Sequence, residues 1–211
     1  MSILDEISSF LQQGRMPVVK ELVQKAIDEG LAPGEILDGG LLAGMSVIGA
    51  KFKNNEVFVP EVLIAARALN GGLSILKPLL AESGVEAKGT AILGTVKGDL
   101  HDIGKNMVKM MLEGKGLNVI DLGVDISAEA FIDAAIEHNA DVVCCSALLT
   151  TTMEEMKNVV SLAIEKGVRD NFKIMIGGAP ITQAFCDSIG ADAYTEDAAS
   201  AADVALSFCK A

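Results

Sequence analysis

Beyond about residue 85 the chain switches between two apolar periods. Short apolar runs, TAILGTV, LNVIDLG, DVVCCSALL and FKIMIGG with a weaker ADAYT, read as strands. Between them IGKNMVKMMLEGKG, SAEAFIDAAIEHN, MEEMKNVVSLAIEKG and APITQAFCDSIG repeat at helical spacing, and EDAASAADVALSFCKA follows as a last helix. Strands separated by helices of this length pair in parallel through crossovers, and their unbroken apolar character suits a sheet covered on both faces. Five such strands predict a doubly wound, flavodoxin-like α/β fold. Its ligand crevice lies at the carboxyl ends of the strands, where the strand order reverses.

The residues before that switch are helical throughout. Ile3, Ile7, Phe10 and Leu11 form one stripe, and Val18, Val19, Leu22, Val23, Ala26 and Ile27 form a second that ends at Gly30. A third helical stretch runs from about Pro33 to Phe52, with a possible break at Gly39-Gly40. Pro60 opens a fourth, lined by Val62, Leu63, Ala66, Leu69, Leu73 and Leu76. The reading is a bundle of about four helices over residues 1–84, then a Rossmann-like domain over 85–211, with the small, polar AESGVEAKG at the join.

Charge narrows the function. A net charge of −12, with no cluster of Lys and Arg, makes a nucleic-acid partner unfavourable. No apolar stretch is expected to reach the ~20 residues that span a bilayer, so no membrane partner is expected either. MSILDEISSF lacks the basic start of a signal peptide. Cys144, Cys145, Cys186 and Cys209 form no C-x-x-C pair and read as free thiols, which suits the cytoplasm.

Most of the polar or glycine-rich surprises in the second half fall just after strands. They are Gly98-Asp99-Leu100-His101-Asp102-Ile103-Gly104, then Ser146-Ala147-Leu148 with Thr150-Thr151-Thr152, then Gly177-Gly178, then Tyr194. A carboxylate two residues from an imidazole can hold one ring N–H and leave the other nitrogen for a metal or a proton. On these residues alone, Asp99 capping the next helix beside an ordinary loop histidine accounts for the pair equally well. A P-loop is a poor fit, because Asn106 follows Gly104-Lys105 where Ser or Thr is needed. CCSAL supplies no nucleophile elbow for a hydrolase, and His101 and His138 are too few for zinc.

Taken together, D-x-H-x-x-G, S-x-L and G-G after successive strands resemble the cobalamin-binding domain of methionine synthase and the corrinoid proteins of methyltransferase systems. GTVKGDLHDIGKNMV and GADAYTEDA are similar to the corrinoid-protein branch, and GMSVIGAKFKNNEVFVPEV to the family's helical cap. The resemblance implies a cobalamin or related corrinoid, with His101 ligating cobalt from below and Asp99 accepting the other imidazole N–H. Thr152 would extend that relay. Ser146, Leu148, Gly177 and Gly178 would line a slot for the displaced nucleotide tail, and Gly104 would open the helix beside it. Gly98, Asp102, Ile103, Thr150 and Tyr194 complete the implied contacts, while Phe52, Val59 and Val62 would cover the upper corrin face.

The implied function is a methyl carrier. It would take a methyl group on Co(I) from a donor-specific methyltransferase and pass it from methyl-Co(III) to a second one acting on a folate or a thiol. A reductive activase would be a further partner. The same module also serves as a cobalamin-dependent sensor or regulator, which is the alternative reading. The donor stays open among methylamines, methanol, aryl methyl ethers and betaine.

Overall fold

The computed structural model describes residues 2–209. They form two compact units, one running to Ala87 and taking in Gly114–Gly116, the other made of Lys88–Glu113 and the chain from Leu117 onward.

In the helical unit, α1 (Ile3–Gln12) starts on a reciprocal cap. Ser2 Oγ accepts the Asp5 N–H at 3.2 Å, and the Asp5 carboxylate accepts the Ser2 N–H at 2.9 Å. Helix α2 (Met16–Asp28) carries Pro17 in its first turn, where a missing N–H costs no helical bond, and buries Val19, Val23 and Ala26. Gly39-Gly40 does not break the third stretch. The chain runs from α3 (Pro33–Glu35) through a π-helical segment (Ile36–Leu42) into α4 (Ala43–Lys53). The wider π turn absorbs the glycines without ending the helix. There Gly40 lies so close to α1 that a Cβ would sit 3.0 Å from Ile7 Cγ2.

Helix α5 (Val59–Ser83) corrects one expectation. At 25 residues, with a mean hydropathy of 1.3 over its most apolar window, it is long and apolar enough to cross a membrane by length and composition. Glu61, Arg67 and Pro78 interrupt the run, but the alanines, leucines and isoleucines between them keep the average high. In the fold one face of it is buried in the bundle, 39% of that window. Val62, Ala65, Ala66, Ala68, Leu69, Gly72, Leu76 and Leu80 are buried, and α1, α2 and α4 pack against it.

The second unit is a five-stranded sheet of β1 (Thr90–Val96), β2 (Asn118–Ile126), β3 (Val142–Ser146), β4 (Lys173–Gly177) and β5 (Ala193–Tyr194), all parallel in the order β2-β1-β3-β4-β5. The crossovers are α6 (Ile103–Gly114), α7 (Ala128–Glu137), α8 (Glu154–Glu165) and α9 (Gln183–Ile189), with α10 (Ala198–Phe208) last. The chain leaves β1 for β2 on one side and returns to β3 on the other, so the order reverses between β1 and β3. Phe131 and Ile132 of α7 and Met156, Val159 and Val160 of α8 pack on Ile92, Val143 and Ile174. Each such buried side chain contributes about 1.5–3 kcal/mol. Burial also pushes the Cys144 thiol up to about 12, with Cys209 adding to the effect, so this strand thiol stays protonated.

Candidate functional site

Strand β1 ends at Val96 and α6 begins at Ile103, so the loop between them lies at the reversal point of the sheet. Asp99 is fully buried there, yet ionised. It stays so because five donors from two loops converge on it. Oδ1 accepts the His101 backbone N–H at 3.1 Å and faces His101 Nδ1 at 2.7 Å. Oδ2 accepts the Leu148 N–H at 2.8 Å, the Leu149 N–H at 3.3 Å and the Thr152 hydroxyl at 2.8 Å. An ionised carboxylate only accepts, so Nδ1 carries the proton, and in the neutral imidazole Nε2 keeps a lone pair. The His101 side chain is 51% exposed, and among the described residues no hydrogen bond reaches Nε2.

Burial pushes the Asp99 carboxyl up, but the Leu148 N–H, the ring and backbone of His101 and the Thr152 hydroxyl outweigh it. They hold the group far below the usual carboxylate range. A depressed folded value stabilises the protein above the unfolded pKa of 3.8, and the contribution is lost only as pH falls below that. At neutral pH Asp99 is charged and orients the imidazole.

His101, Asp99, Thr152 and Leu148 therefore form one bonded group. Asp102, Ile103 and Gly104 start α6, where the Asp102 carbonyl accepts the Asn106 N–H at 2.8 Å. Ser146, Gly177 and Gly178 stand at the ends of β3 and β4, linked by an Ala147 N–H donating to the Gly177 carbonyl at 3.1 Å. Thr150 is exposed outside this network, and Tyr194 is half-buried against the sheet core. In the helical unit Val62 is fully buried, Phe52 is half-buried and Val59 is 38% exposed, next to a Phe58 that is 63% exposed. Three polar partners have no counterpart in the sequence motifs: Thr95, Asp125 and the Leu149 amide. Thr95 stands out as a hydroxyl inside a largely apolar strand, and the other two carry no local signal.

The B12 binding domain model matches residues 89–203, and a second B12 binding domain model matches residues 3–77. A corrinoid protein of Desulfitobacterium hafniense is 44% identical over 97% of this chain and 96% of its own length. The chain belongs to the B12-binding corrinoid protein family. A dimethylamine corrinoid protein of Methanosarcina barkeri is 44% identical over 94% of this chain and 93% of its own. Among solved structures, the methanol:cobalamin methyltransferase complex of Methanosarcina barkeri matches with a TM-score of 0.88 and 32% identity, over 98% of this chain and 79% of that one. A cobalamin-binding protein of Desulfitobacterium hafniense matches at 0.81 and 29% identity, over 98% of each chain.

The cofactor of this corrinoid protein is a cobalamin or a related corrinoid, and the residues fit such a group. Among the described residues no cluster of three or more His, Cys, Asp or Glu could hold a metal. A corrinoid brings most of the ligands of its own cobalt, so it would need only one donor from the protein, and His101 Nε2 could supply it. The loops tied together by Asp99 also expose apolar side chains: Leu100 at 72%, Ile103 at 78%, Leu148 at 43% and Leu149 at 40%. Exposed leucines and isoleucines around one imidazole suit a broad, largely apolar ring.

Gly178 is more constrained than a slot lining requires. Its φ is +133°, and a Cβ there would overlap the Ala147 carbonyl oxygen. Gly178→Ala is expected to destabilise the cofactor-free protein by about 1–3 kcal/mol and to weaken corrinoid retention, because the β4 loop must shift. Urea unfolding checks this, and an unchanged midpoint would show that the loop yields without cost.

Proposed function

We propose that this corrinoid protein carries methyl groups between two methyltransferases, with His101 Nε2 as the lower ligand of cobalt. The observation that supports the ligand is the 2.7 Å pair between His101 Nδ1 and the buried Asp99, which leaves Nε2 as the ring nitrogen directed away from its carboxylate partner. When bound, the corrinoid supplies a cobalt centre that accepts a methyl group from one partner and gives it up to the other. Asp99 keeps the Nδ1 proton in place, which orients the ring and sets the tautomer. Thr152 and the Leu148 and Leu149 amides keep Asp99 ionised. Relatives named for dimethylamine and for methanol support a donor-specific methyltransferase as first partner. A second methyltransferase serving a folate or thiol acceptor, and a reductive activase, complete the proposed cycle.

Protein reconstituted with hydroxocobalamin and desalted is expected to keep about one corrinoid per chain. In frozen Co(II) samples the electron paramagnetic resonance signal should show coupling to a single nitrogen. Labelling histidine with nitrogen-15 should convert its triplets to doublets. Colourless protein after several reconstitution conditions would remove the carrier reading. Triplets that survive labelling would assign the nitrogen to the cofactor's own base.

A further inference from the structure

The side-chain network of Asp99 fixes the imidazole ring, but the backbone that carries it needs separate support. Two residues outside the D-x-H-x-x-G stretch supply it. Thr95, fully buried on β1, donates its hydroxyl to the His101 carbonyl at 2.9 Å. Asp125, on β2, accepts the Gly98 N–H on Oδ1 at 2.7 Å and donates its own N–H to the Asp99 carbonyl at 3.0 Å. Three successive parts of the loop are thus pinned from two strands, without use of the imidazole.

Asp125 reaches the loop because β2 is irregular. Leu93 pairs with Asp121, Gly94 with Gly123 and Val96 with Ile126, so β2 gains two residues over β1 in this stretch. Such bulges turn a residue out of the ladder and re-aim its side chain. Asp125 takes φ of +58°, in the left-handed region that Asp and Asn tolerate better than most residues. A regular strand would have spent its N–H and its side-chain direction elsewhere.

We infer that Thr95 and Asp125 are positioning residues that clamp the loop backbone, so that His101 presents its nitrogen at a fixed height at the sheet edge. The inference rests on His101 as the axial nitrogen. The clamp holds main chain only, so it acts separately from the Asp99 bond that holds the ring.

The test compares reconstituted Co(II) proteins by their nitrogen coupling, alongside hydrogen exchange of the cofactor-free chain. Thr95→Val removes the hydroxyl at nearly constant shape, and Asp125→Gly removes the carboxylate while keeping the positive φ free of strain. Each is expected to raise the fraction of cobalt lacking nitrogen coupling about tenfold. Asp125→Gly should also speed exchange of the Gly98 amide about tenfold, since that N–H loses its acceptor. Thr95→Ser and Asp125→Asn keep the donor and the acceptor and should restore wild-type behaviour. Should Thr95→Val fold poorly, Asp125→Gly at its exposed site decides alone. Full nitrogen coupling in Asp125→Gly, with or without faster Gly98 exchange, would overturn the clamp. Absence of coupling in the wild type would instead remove the His101 reading, and the clamp with it.

Discussion

His101→Ala should lose the nitrogen superhyperfine splitting of its Co(II) form entirely, while still retaining corrinoid after desalting. The splitting requires a nitrogen bonded to cobalt, and imidazole is the neutral nitrogen donor on this loop. Water or a carboxylate would be the weaker replacements. The fold should survive, because the His101 side chain is 51% exposed and packs into no core. Its removal takes one hydrogen bond from Asp99 Oδ1, which keeps the His101 backbone N–H at 3.1 Å. The loss of stability should therefore stay near about 1 kcal/mol. Retention follows from the apolar surface of Leu100, Ile103, Leu148 and Leu149, which the substitution leaves in place. A His101→Ala protein with wild-type splitting would show that another nitrogen binds the metal.

Asp99→Asn is expected to be nearly as damaging to ligation and more damaging to the fold. Every contact of the carboxylate is with a donor: two on Oδ1 and three on Oδ2. An amide must turn its NH2 group toward one of these sets. Facing Leu148 and Leu149, it opposes two backbone N–H groups that then lie buried without an acceptor. Facing His101, it opposes the backbone N–H and donates to Nδ1, which drives the ring proton onto Nε2. A protonated Nε2 has no lone pair for cobalt, so the second arrangement removes the ligand by inverting the tautomer. The first costs about 1–3 kcal/mol for each stranded donor. Nitrogen coupling should fall at least about tenfold, and the urea midpoint of the cofactor-free protein should drop. Wild-type coupling together with a wild-type midpoint would mean that Asp99 is not the anchor these contacts make it.

Several features follow from local chemistry and were legible residue by residue. Alternating apolar periods predict the parallel sheet, because side-chain periodicity of 2.0 or 3.6 follows from backbone geometry alone. The change of period separates the helical stretch from the strands, and glycines and polar residues just after apolar runs point to the crevice edge. D-x-H within one loop brings Asp99 and His101 together whatever surrounds them, since two residues cannot stray far apart.

Other features depend on contacts between segments distant in the chain, which no local pattern encodes. Thr152, Leu148 and Leu149 reach Asp99 only because β3 lies beside β1. That adjacency turns a carboxylate with one neighbour into one with five donors and sets the histidine tautomer. Thr95 and Asp125 look like ordinary strand residues until the register of β2 against β1 slips and aims Asp125 at Gly98. Gly178 reads as a turn glycine, yet its constraint comes from the Ala147 carbonyl on the adjacent loop. The length of α5 is written in the sequence, but that its apolar face meets α1, α2 and α4 is a property of the packed bundle. Motif residues are set by spacing along the chain, whereas their partners are set by which strands become neighbours, and that is decided only when the whole sheet closes over its core.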